Sequence, residues 1–185
     1  MGILGFLRVR PEWILVLALT PVLWGAEGNV ALSEQELKAA ALNQVVHFVR
    51  WPAESFPQPD SPLFIGIFGE DPFGNLIDEL AAGQVASGHP VKVVRCFTPE
   101  AAEACHVVYV ADAKQRSAAR LIRTLESRSI LTLSGDETFL ERGGMICLSV
   151  RSNRIRILVN LEAAKRANVT LSSKLLRLAE IVKRP

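Results

Sequence analysis

The sequence predicts one α/β domain with a mostly parallel, doubly wound sheet, helices on both faces and a C-terminal antiparallel hairpin edge. Short apolar runs alternate with helical segments after residue 60, and this order is typical of parallel strands joined by helical crossovers. Two strand-like runs near the C-terminus are separated only by Ser152 and Asn153, a pair that suits a tight hairpin turn. An antiparallel edge on a parallel sheet is a common combination.

The first 26 residues have the pattern of a cleavable secretory signal. Two arginines precede an apolar run over residues 13–24, and small residues follow it. The run is shorter than the roughly 20 residues that a helix needs to cross a bilayer, so a membrane anchor is the weaker alternative. We therefore expect residues 1–26 to be removed on export and residues 27–185 to form one domain with a single core.

Residues 32–50 predict the first helix of this domain. Apolar side chains recur at the spacing of a helix with one buried stripe, and Ser33 or a neighbour is placed to cap the first turn. The pair Trp51-Pro52 ends the helix, because proline disfavours the helical conformation at the residue before it. The Pro-rich segment 56–62 then separates the helix from the rest of the chain.

The rest of the chain alternates predicted strands and helices. The run 63–69 is continuously apolar, as in strands that are buried on both faces of a parallel sheet. The predicted parallel strands are residues 63–69, 91–97, 106–111 and 129–135, with helices ending at residue 80 and covering 98–105 and 117–127. The predicted hairpin strands are residues 145–151 and 154–160, and helices over 161–167 and 172–182 follow them.

The charge balance argues against a nucleic-acid partner. The chain has 21 Lys and Arg and 19 Asp and Glu, and removal of the signal leaves 19 basic and 18 acidic residues, a net charge of +1. Phosphate contacts need clustered positive charge, which a nearly neutral domain does not supply. The basic residues near the C-terminus fit a solvated helix face.

No segment carries a recognised catalytic or cofactor-binding motif. The loop Gly69–Gly74 follows the first strand but lacks the spacing of a phosphate-binding loop, and its Glu70 and Asp71 would repel a phosphate. Ser134 has no G-x-S-x-G around it. Two pairs of adjacent carboxylates, Glu70 with Asp71 and Asp136 with Glu137, lie in predicted turns, where helix capping accounts for them. We therefore predict no catalytic residues, no cofactor and no enzymatic activity.

Three cysteines remain after removal of the signal: Cys96, Cys105 and Cys147. An oxidising compartment favours a disulfide, and an odd number leaves one thiol over. Metal binding is the competing interpretation, but the chain has no C-x-x-C pair and its three histidines are scattered. We predict no metal site.

Seven segments, in their order and spacing, resemble the family of YfiR-like periplasmic proteins. No single segment is specific, but together they span about residues 37–182. The segments are HFVRWP (47–52), FGEDPFG (68–74), CHVVYV (105–110), ILTLSGDETF (130–139), RGGMICL (142–148), ILVNLEAA (157–164) and LSSKLLRLA (171–179).

The resemblance implies a non-enzymatic periplasmic protein that binds the periplasmic sensor part of an inner-membrane diguanylate cyclase. Such binding would hold cyclic-di-GMP synthesis low and so affect biofilm formation. The resemblance also implies that an OmpA-like outer-membrane lipoprotein sequesters the repressor, and that the repressor forms a homodimer.

The cysteines depart from the pattern that the resemblance implies. Family members pair a cysteine in the first strand with the one that opens CHVVYV, and a second pair brackets the GGM segment. The matching partner positions here are Gly66 and Leu140, so Cys105 and Cys147 lack these partners. Cys96 is the substitute candidate for a disulfide with Cys105. Against it, successive parallel strands place the end of one strand and the start of the next at opposite edges of the sheet.

The candidate partner-binding residues are Trp51, Phe73, Met145, Arg154 and Arg156. They would supply the apolar centre and charged rim that protein interfaces combine. We expect that a charge introduced at one of the five leaves the fold intact and derepresses the cyclase. Trp51 also fits a core position.

Two alternatives of different class remain beside the regulator. The first is a small-molecule binding module that uses the crevice at the carboxyl ends of the parallel strands, where ligands of open α/β sheets bind. The second is an enzyme, which is disfavoured because no nucleophile, base and orienting group can be assembled from the motifs.

Overall fold

The computed structural model describes residues 32–182, and the predicted signal lies outside them. The strands are β1 (Val49–Arg50), β2 (Leu63–Phe68), β3 (Val85–Ala86), β4 (His89–Cys96), β5 (Val107–Val110), β6 (Leu131–Ser134), β7 (Ile146–Arg151), β8 (Arg154–Val159), β9 (Thr170–Leu171) and β10 (Glu180–Ile181). The helices are α1 (Glu34–Val45), α2 (Leu76–Ala81), α3 (Pro99–Ala102), α4 (Arg116–Leu125), α5 (Thr138–Glu141), α6 (Leu161–Arg166) and α7 (Ser173–Leu178). Within this part of the chain, no helix has both the length and the apolar character that a membrane span requires.

Eight of these strands form one sheet in the order β10-β8-β7-β6-β5-β2-β4-β3. Strands β4, β2, β5, β6 and β7 are parallel, which confirms the predicted doubly wound architecture. Strands β7 and β8 form the predicted antiparallel hairpin, and the short β3 adds an antiparallel partner to β4 at the other edge. The remaining two strands, β1 and β9, pair separately and antiparallel.

The sheet has an apolar core on each face. Leu63, Ile65 and Ile67 of β2 point into the core shared with α1, α2 and α6, whereas Phe68 joins the core shared with α3, α4 and α5. The three aliphatic side chains are fully buried, and burial of each contributes about 1.5 to 3 kcal/mol to folding. Two buried faces explain why the strand sequences are continuously apolar rather than alternating.

Helix α1 begins where the sequence predicts but ends earlier. Ser33 and Glu36 form a reciprocal capping box at its first turn. The regular helix stops at Val45, and a short 3-10 turn leads into Val49–Arg50, which pair with Thr170–Leu171. The prediction of helix to residue 50 is therefore wrong, because strand pairing with a segment 120 residues away overrides the local helical pattern.

The C-terminal region confirms the hairpin turn and corrects the last helix. Ser152 and Asn153 have φ angles of 49° and 57°, as a tight two-residue turn requires. Helix α7 ends at Leu178 rather than at residue 182, and Glu180–Ile181 extend the sheet as a parallel partner of β8. The backbone amide of Val182 then donates to the Val159 carbonyl, so pairing with the sheet replaces the final helical turn.

Candidate functional site at the carboxyl edge of the sheet

The carboxyl ends of β2 and β5 are the point at which the connections of the sheet diverge. Strand β2 has β4 on one side and β5 on the other, so the chain leaves the two strands toward opposite sides. Open α/β sheets form their ligand-binding crevice at such a point. A crevice of about 460 Å³ lies here, lined by Gln35, Lys38, Pro72, Phe73, Tyr109, Ala111, Gly135, Asp136 and Glu137.

The base of the crevice is aromatic. The rings of Phe73 and Tyr109 pack with their centroids 4.8 Å apart, and both residues are buried. Burial raises the pKa of the Tyr109 phenol above its ordinary value, so the hydroxyl stays protonated. The base therefore offers an uncharged surface.

The rim of the crevice carries both signs of charge. Lys38 of α1 pairs with Glu34 one turn earlier, and its Nζ occupies the space where a Cβ at Gly135 would lie. Glu137 accepts hydrogen bonds of 2.9 Å from the hydroxyl of Ser149 and the guanidinium of Arg151, and these donors lower the pKa of the Glu137 carboxyl. Glu137 thus links the crevice to the tip of the β7–β8 hairpin.

The loop after β2 is held by a guanidinium from the neighbouring strand. Arg95 of β4 donates to Asp71 at 2.8 Å, to both carboxylate oxygens of Asp78 at 2.8 and 2.6 Å, and to the Gly74 carbonyl at 2.7 Å. Asp71 also accepts from the amide of Phe73 at 2.8 Å. Arg95 therefore positions Phe73 in the crevice. Sequence reasoning missed Arg95, because only the pairing of β4 with β2 brings it to this loop.

Replacement of Arg95 by glutamine is expected to lower the free energy of unfolding by about 1 to 2 kcal/mol, because it removes several charge-assisted hydrogen bonds. The hydrogen bond from Arg95 lowers the pKa of Asp78, so its stabilising effect is present above about pH 4 and is lost as Asp78 is protonated. Urea unfolding at neutral pH and near pH 3 measures this difference. Lys92→Gln, at an exposed cation on the same strand, is the control, and an equal loss in both variants would contradict the assignment.

Of the five predicted partner-binding residues, Phe73 alone lines the crevice. Arg154 lies opposite Arg151 at the hairpin tip and is exposed, and Arg156 bonds to Glu180 of β10. The two remaining residues lie elsewhere: Met145 precedes β7 and Trp51 precedes the Pro-rich segment.

The burial of the five residues differs. Phe73 is 6% exposed and Met145 is 2% exposed, whereas Trp51 is half-buried and its indole N–H donates to the His106 carbonyl at 3.2 Å. The burial of Phe73 and Met145 argues against the expectation that a charge there leaves the fold intact, because an unpaired buried charge costs several kcal/mol. Their role in binding stays a prediction, as does that of Trp51, Arg154 and Arg156.

The three cysteines are buried thiols. The sulfur atoms of Cys96 and Cys105 lie 3.7 Å apart, which removes the objection that strand geometry keeps them at opposite edges. The reason is Gly66: a Cβ there would lie 2.7 Å from the Cys105 sulfur and 3.1 Å from the Cys96 sulfur. Both sulfurs therefore meet over a position without a side chain. The disulfide itself stays a prediction. Cys147 lies fully buried in the same core.

Among residues 32–182, no group of three or more His, Cys, Asp or Glu side chains is arranged to hold a metal ion. In the sequence, Asn160 stands between the last predicted hairpin strand and a predicted helix, a position that indicates a helix cap, and the structure gives it this role. Its side-chain oxygen Oδ1 accepts from the Ala163 amide at 3.0 Å at the start of α6. This capping residue lies outside the crevice, and the crevice remains the candidate for ligand binding.

The fold and the crevice define a single-domain α/β protein with an open site at the switch point of its sheet. A family model described as YfiR/HmsC-like matches residues 35–180. The chain therefore belongs to the YfiR/HmsC-like family, which confirms the resemblance seen in the sequence.

Two solved structures are similar to this chain in fold. A conserved domain protein from Vibrio cholerae O1 biovar eltor str. N16961 has a TM-score of 0.55 at 15% identity, covering 82% of this chain and 61% of that chain. The ABC domain in complex with L-Trp from Streptococcus pneumonia has a TM-score of 0.46 at 9% identity, covering 76% of this chain and 60% of that one. The chain thus spans about three fifths of each structure. The first supports the fold alone, and the second is too distant to support an argument.

Proposed function

We propose that this protein is a periplasmic, non-enzymatic regulator that binds the periplasmic sensor part of a membrane diguanylate cyclase and lowers cyclic-di-GMP synthesis. The observation that carries the proposal is the YfiR/HmsC-like family match over residues 35–180. The signal pattern of residues 1–26 supports export. An OmpA-like outer-membrane lipoprotein that sequesters the regulator, and a homodimer, belong to the same proposal.

Repression of this kind requires differential affinity. The regulator must bind the inactive sensor more tightly than the active one by a few kcal/mol, because a ligand shifts an equilibrium only by the difference between its two affinities. The hairpin tip is a suitable contact surface. Arg151 and Arg154 lie opposite each other there, and Arg154 is exposed to solvent. Because Arg151 is paired with Glu137, the exposed Arg154 is the cation at the tip that would favour an acidic surface on the sensor.

The proposal is tested by measuring cellular cyclic-di-GMP in a strain that lacks the protein. Complementation uses the exported chain and a chain without residues 1–26. A rise in cyclic-di-GMP that only the exported chain corrects supports periplasmic repression. An unchanged level, with expression verified in the parent strain, would overturn the proposal.

In the same strain, Arg154→Glu is expected to restore less repression than the wild type and to bind the sensor at least about tenfold more weakly, a loss of about 1.4 kcal/mol. The reason is the replacement of attraction by repulsion at an exposed rim position. Arg123→Glu, which reverses an exposed charge on α4, is the matched control. Binding is measured by titration of the purified sensor fragment. Full repression by Arg154→Glu would exclude the hairpin tip as the contact surface.

The crevice favours a second candidate function, binding of a small molecule. Its position at the switch point, its aromatic base and its mixed-charge rim are features of ligand sites in α/β sheets. A ligand that binds only the folded state raises the melting temperature. A thermal-shift screen of periplasmic metabolites against the purified protein tests this candidate, and no shift at millimolar concentrations would count against it.

A further inference from the structure

The two outer edges of the eight-stranded sheet are covered to different extents. At one edge, β3 is two residues long and pairs only with His89 and Pro90 at the start of β4. Within residues 32–182, no strand lies beside the outer side of residues 92–97, which are the rest of β4 and Phe97 after it. Residues 92–97 are called the open edge below.

Two hydrogen bonds show which backbone groups of the open edge face outward. The Cys96 carbonyl accepts at 3.3 Å from an amide just after β2, whereas the Val91 amide donates at 3.0 Å to Gln84, just before β3. Because successive residues of a strand alternate in direction, Val93 and Arg95 point their N–H and C=O groups away from β2. The open edge therefore presents a row of backbone groups to which another strand can bind.

The side chains of the open edge are mostly apolar. Phe97 is 77% exposed, the largest exposed fraction among the large hydrophobic side chains of residues 32–182. Val93 and Val94 are half-buried and pack against the cores on opposite faces of the sheet. The guanidinium of Arg95 is neutralised by its two carboxylate partners, so Lys92 is the remaining charge of the open edge. Such an edge is a template for strand pairing.

We propose that the open edge is the homodimer interface, at which a second copy of this chain adds its own open edge in antiparallel orientation. The two-fold axis passes through Arg95, so that Val93 of each copy lies opposite Phe97 of the other, and Val94 lies opposite Cys96. About six backbone hydrogen bonds would join the two sheets into one. The inference rests on the homodimer of the proposed function and assigns its surface.

The structure on each side of the open edge fixes this register. A shift of the second copy by two residues toward β3 would place its Phe97 opposite Val91, where the Gln84 backbone already binds. A shift the other way would place Val93 opposite α3, which has left the sheet. The Thr98 side chain caps α3 by accepting from its backbone at 3.2 Å, so the chain turns away directly after the open edge.

The charges in this register are compatible with a second copy. Lys92 lies opposite Thr98, so it does not meet a like charge. The two Arg95 side chains approach each other at the axis, but each is bonded to Asp71 at 2.7 Å and to Asp78 at 2.6 Å in its own copy. The interface uses the same surface in both copies, as two-fold dimers do.

The other edge of the sheet is less suited to a second copy. Strand β10 already pairs with Leu158 and Val159, which leaves a shorter free stretch of β8. Two-fold pairing about Ile155 would place Arg154 of one copy opposite Arg156 of the other, and like charges directly opposite are destabilising. The hairpin tip thus stays available to the sensor while the open edge binds a second copy.

Sedimentation equilibrium of the purified exported chain, up to millimolar concentration, tests the interface. We expect a monomer–dimer equilibrium. Phe97→Ser should raise the dimer dissociation constant about tenfold or more, because it removes an aromatic side chain that the second copy would bury. Leu178→Ser is the matched control: Leu178 is 72% exposed at the end of α7, and its replacement should change the constant less than about twofold.

Proline substitution tests the backbone pairing. The Val93 N–H faces outward, so Val93→Pro leaves the ladder between β4 and β2 intact and is expected to abolish the dimer. Ile155→Pro makes the same change at the other edge and should preserve the dimer. Ile155 faces outward there because it alternates with Val159, whose carbonyl binds the amide of Val182 after β10. Circular dichroism verifies that both variants fold.

Hydrogen exchange in the parent chain gives a measurement that does not require a folded variant. The amides of Val93, Arg95 and Phe97 should gain about tenfold or more protection as the protein concentration rises through the dimer dissociation constant. The outward amide of Ile155 should show no such gain.

The outcomes separate this interface from the proposed function. A dimer that persists in Phe97→Ser, without concentration-dependent protection of Val93 and Arg95, would overturn the interface and leave the homodimer on another surface. A chain that stays monomeric would overturn both the interface and the homodimer. Protection that appears only when the sensor fragment is added would show that the open edge binds the sensor, and would overturn the second copy as its occupant. Cyclic-di-GMP levels test repression separately.

Discussion

Gly144→Ala is expected to lower the free energy of unfolding by about 3 kcal/mol, the largest effect of any single methyl group that we predict. A Cβ at Gly144 would lie 2.1 Å from Cε1 of Phe139, far closer than two carbon atoms can approach. Phe139 is fully buried in the core between α4, α5 and the sheet, so its ring has no free space to move into. Urea unfolding followed by circular dichroism measures the loss.

Two variants separate this contact from backbone strain. The adjacent Gly143 has a φ of 98° but meets only Ile122 at 3.5 Å, so Gly143→Ala is expected to lose about 1 to 2 kcal/mol through its backbone alone. Phe139→Leu removes the aromatic ring with which the new methyl group would clash. The double variant Gly144→Ala with Phe139→Leu should be more stable, by about 1 kcal/mol or more, than the sum of the single losses predicts. Simple additivity would contradict a direct clash.

Oxidation of the purified protein is expected to join Cys96 and Cys105 and to stabilise the fold by about 2 to 3 kcal/mol, the chain-entropy value for a loop of about ten residues. A modest approach of the two sulfurs from 3.7 Å is sufficient, because Gly66 leaves the space between them open. Burial, with the neighbouring Cys96, raises the pKa of the Cys105 thiol to about 12. Oxidation should therefore be slow at neutral pH, since the thiolate is the reactive form.

The bond is detected as a loss of about 2 Da in intact mass and as a higher urea midpoint that a reductant reverses. Cys105→Ser should abolish both effects, whereas Cys147→Ser should keep them. Burial raises the pKa of Cys147 to about 12 as well, so this thiol is an equally unreactive control. A mass loss that survives in Cys105→Ser, or none after prolonged oxidation, would contradict the pairing.

The two glycines before β7 show what the local sequence predicts and what it does not. A Gly-Gly pair in front of a predicted strand indicates a tight turn with positive φ, and Gly143 has that conformation. Gly144 is required for a different reason, the close approach of Phe139, and this contact depends on how α5 packs against the sheet. The helix α5 itself was not predicted, because four residues carry too little periodicity.

The candidate site likewise combines a feature that the sequence predicts with residues that only tertiary contacts bring together. The parallel, doubly wound sheet that the sequence predicts is enough to expect a crevice at the carboxyl ends of the strands. It is not enough to find Arg95, which acts on Asp71 and Asp78 only because β4 lies beside β2. The stacking of Phe56 with His89 and His106 was missed for a similar reason, because nothing in the spacing of these residues indicates it.

The sequence by itself determined the alternation of strands and helices, the caps at Ser33 and Asn160, the hairpin turn and the family. These features depend on hydrophobic period, on local side-chain hydrogen bonds and on the order of segments, all of which are written along the chain. The tertiary structure decided where α1 and α7 end, that Cys96 meets Cys105, and which residues form the crevice. These depend on contacts between segments far apart in sequence, and such contacts exist only after the strands have taken their places in the sheet.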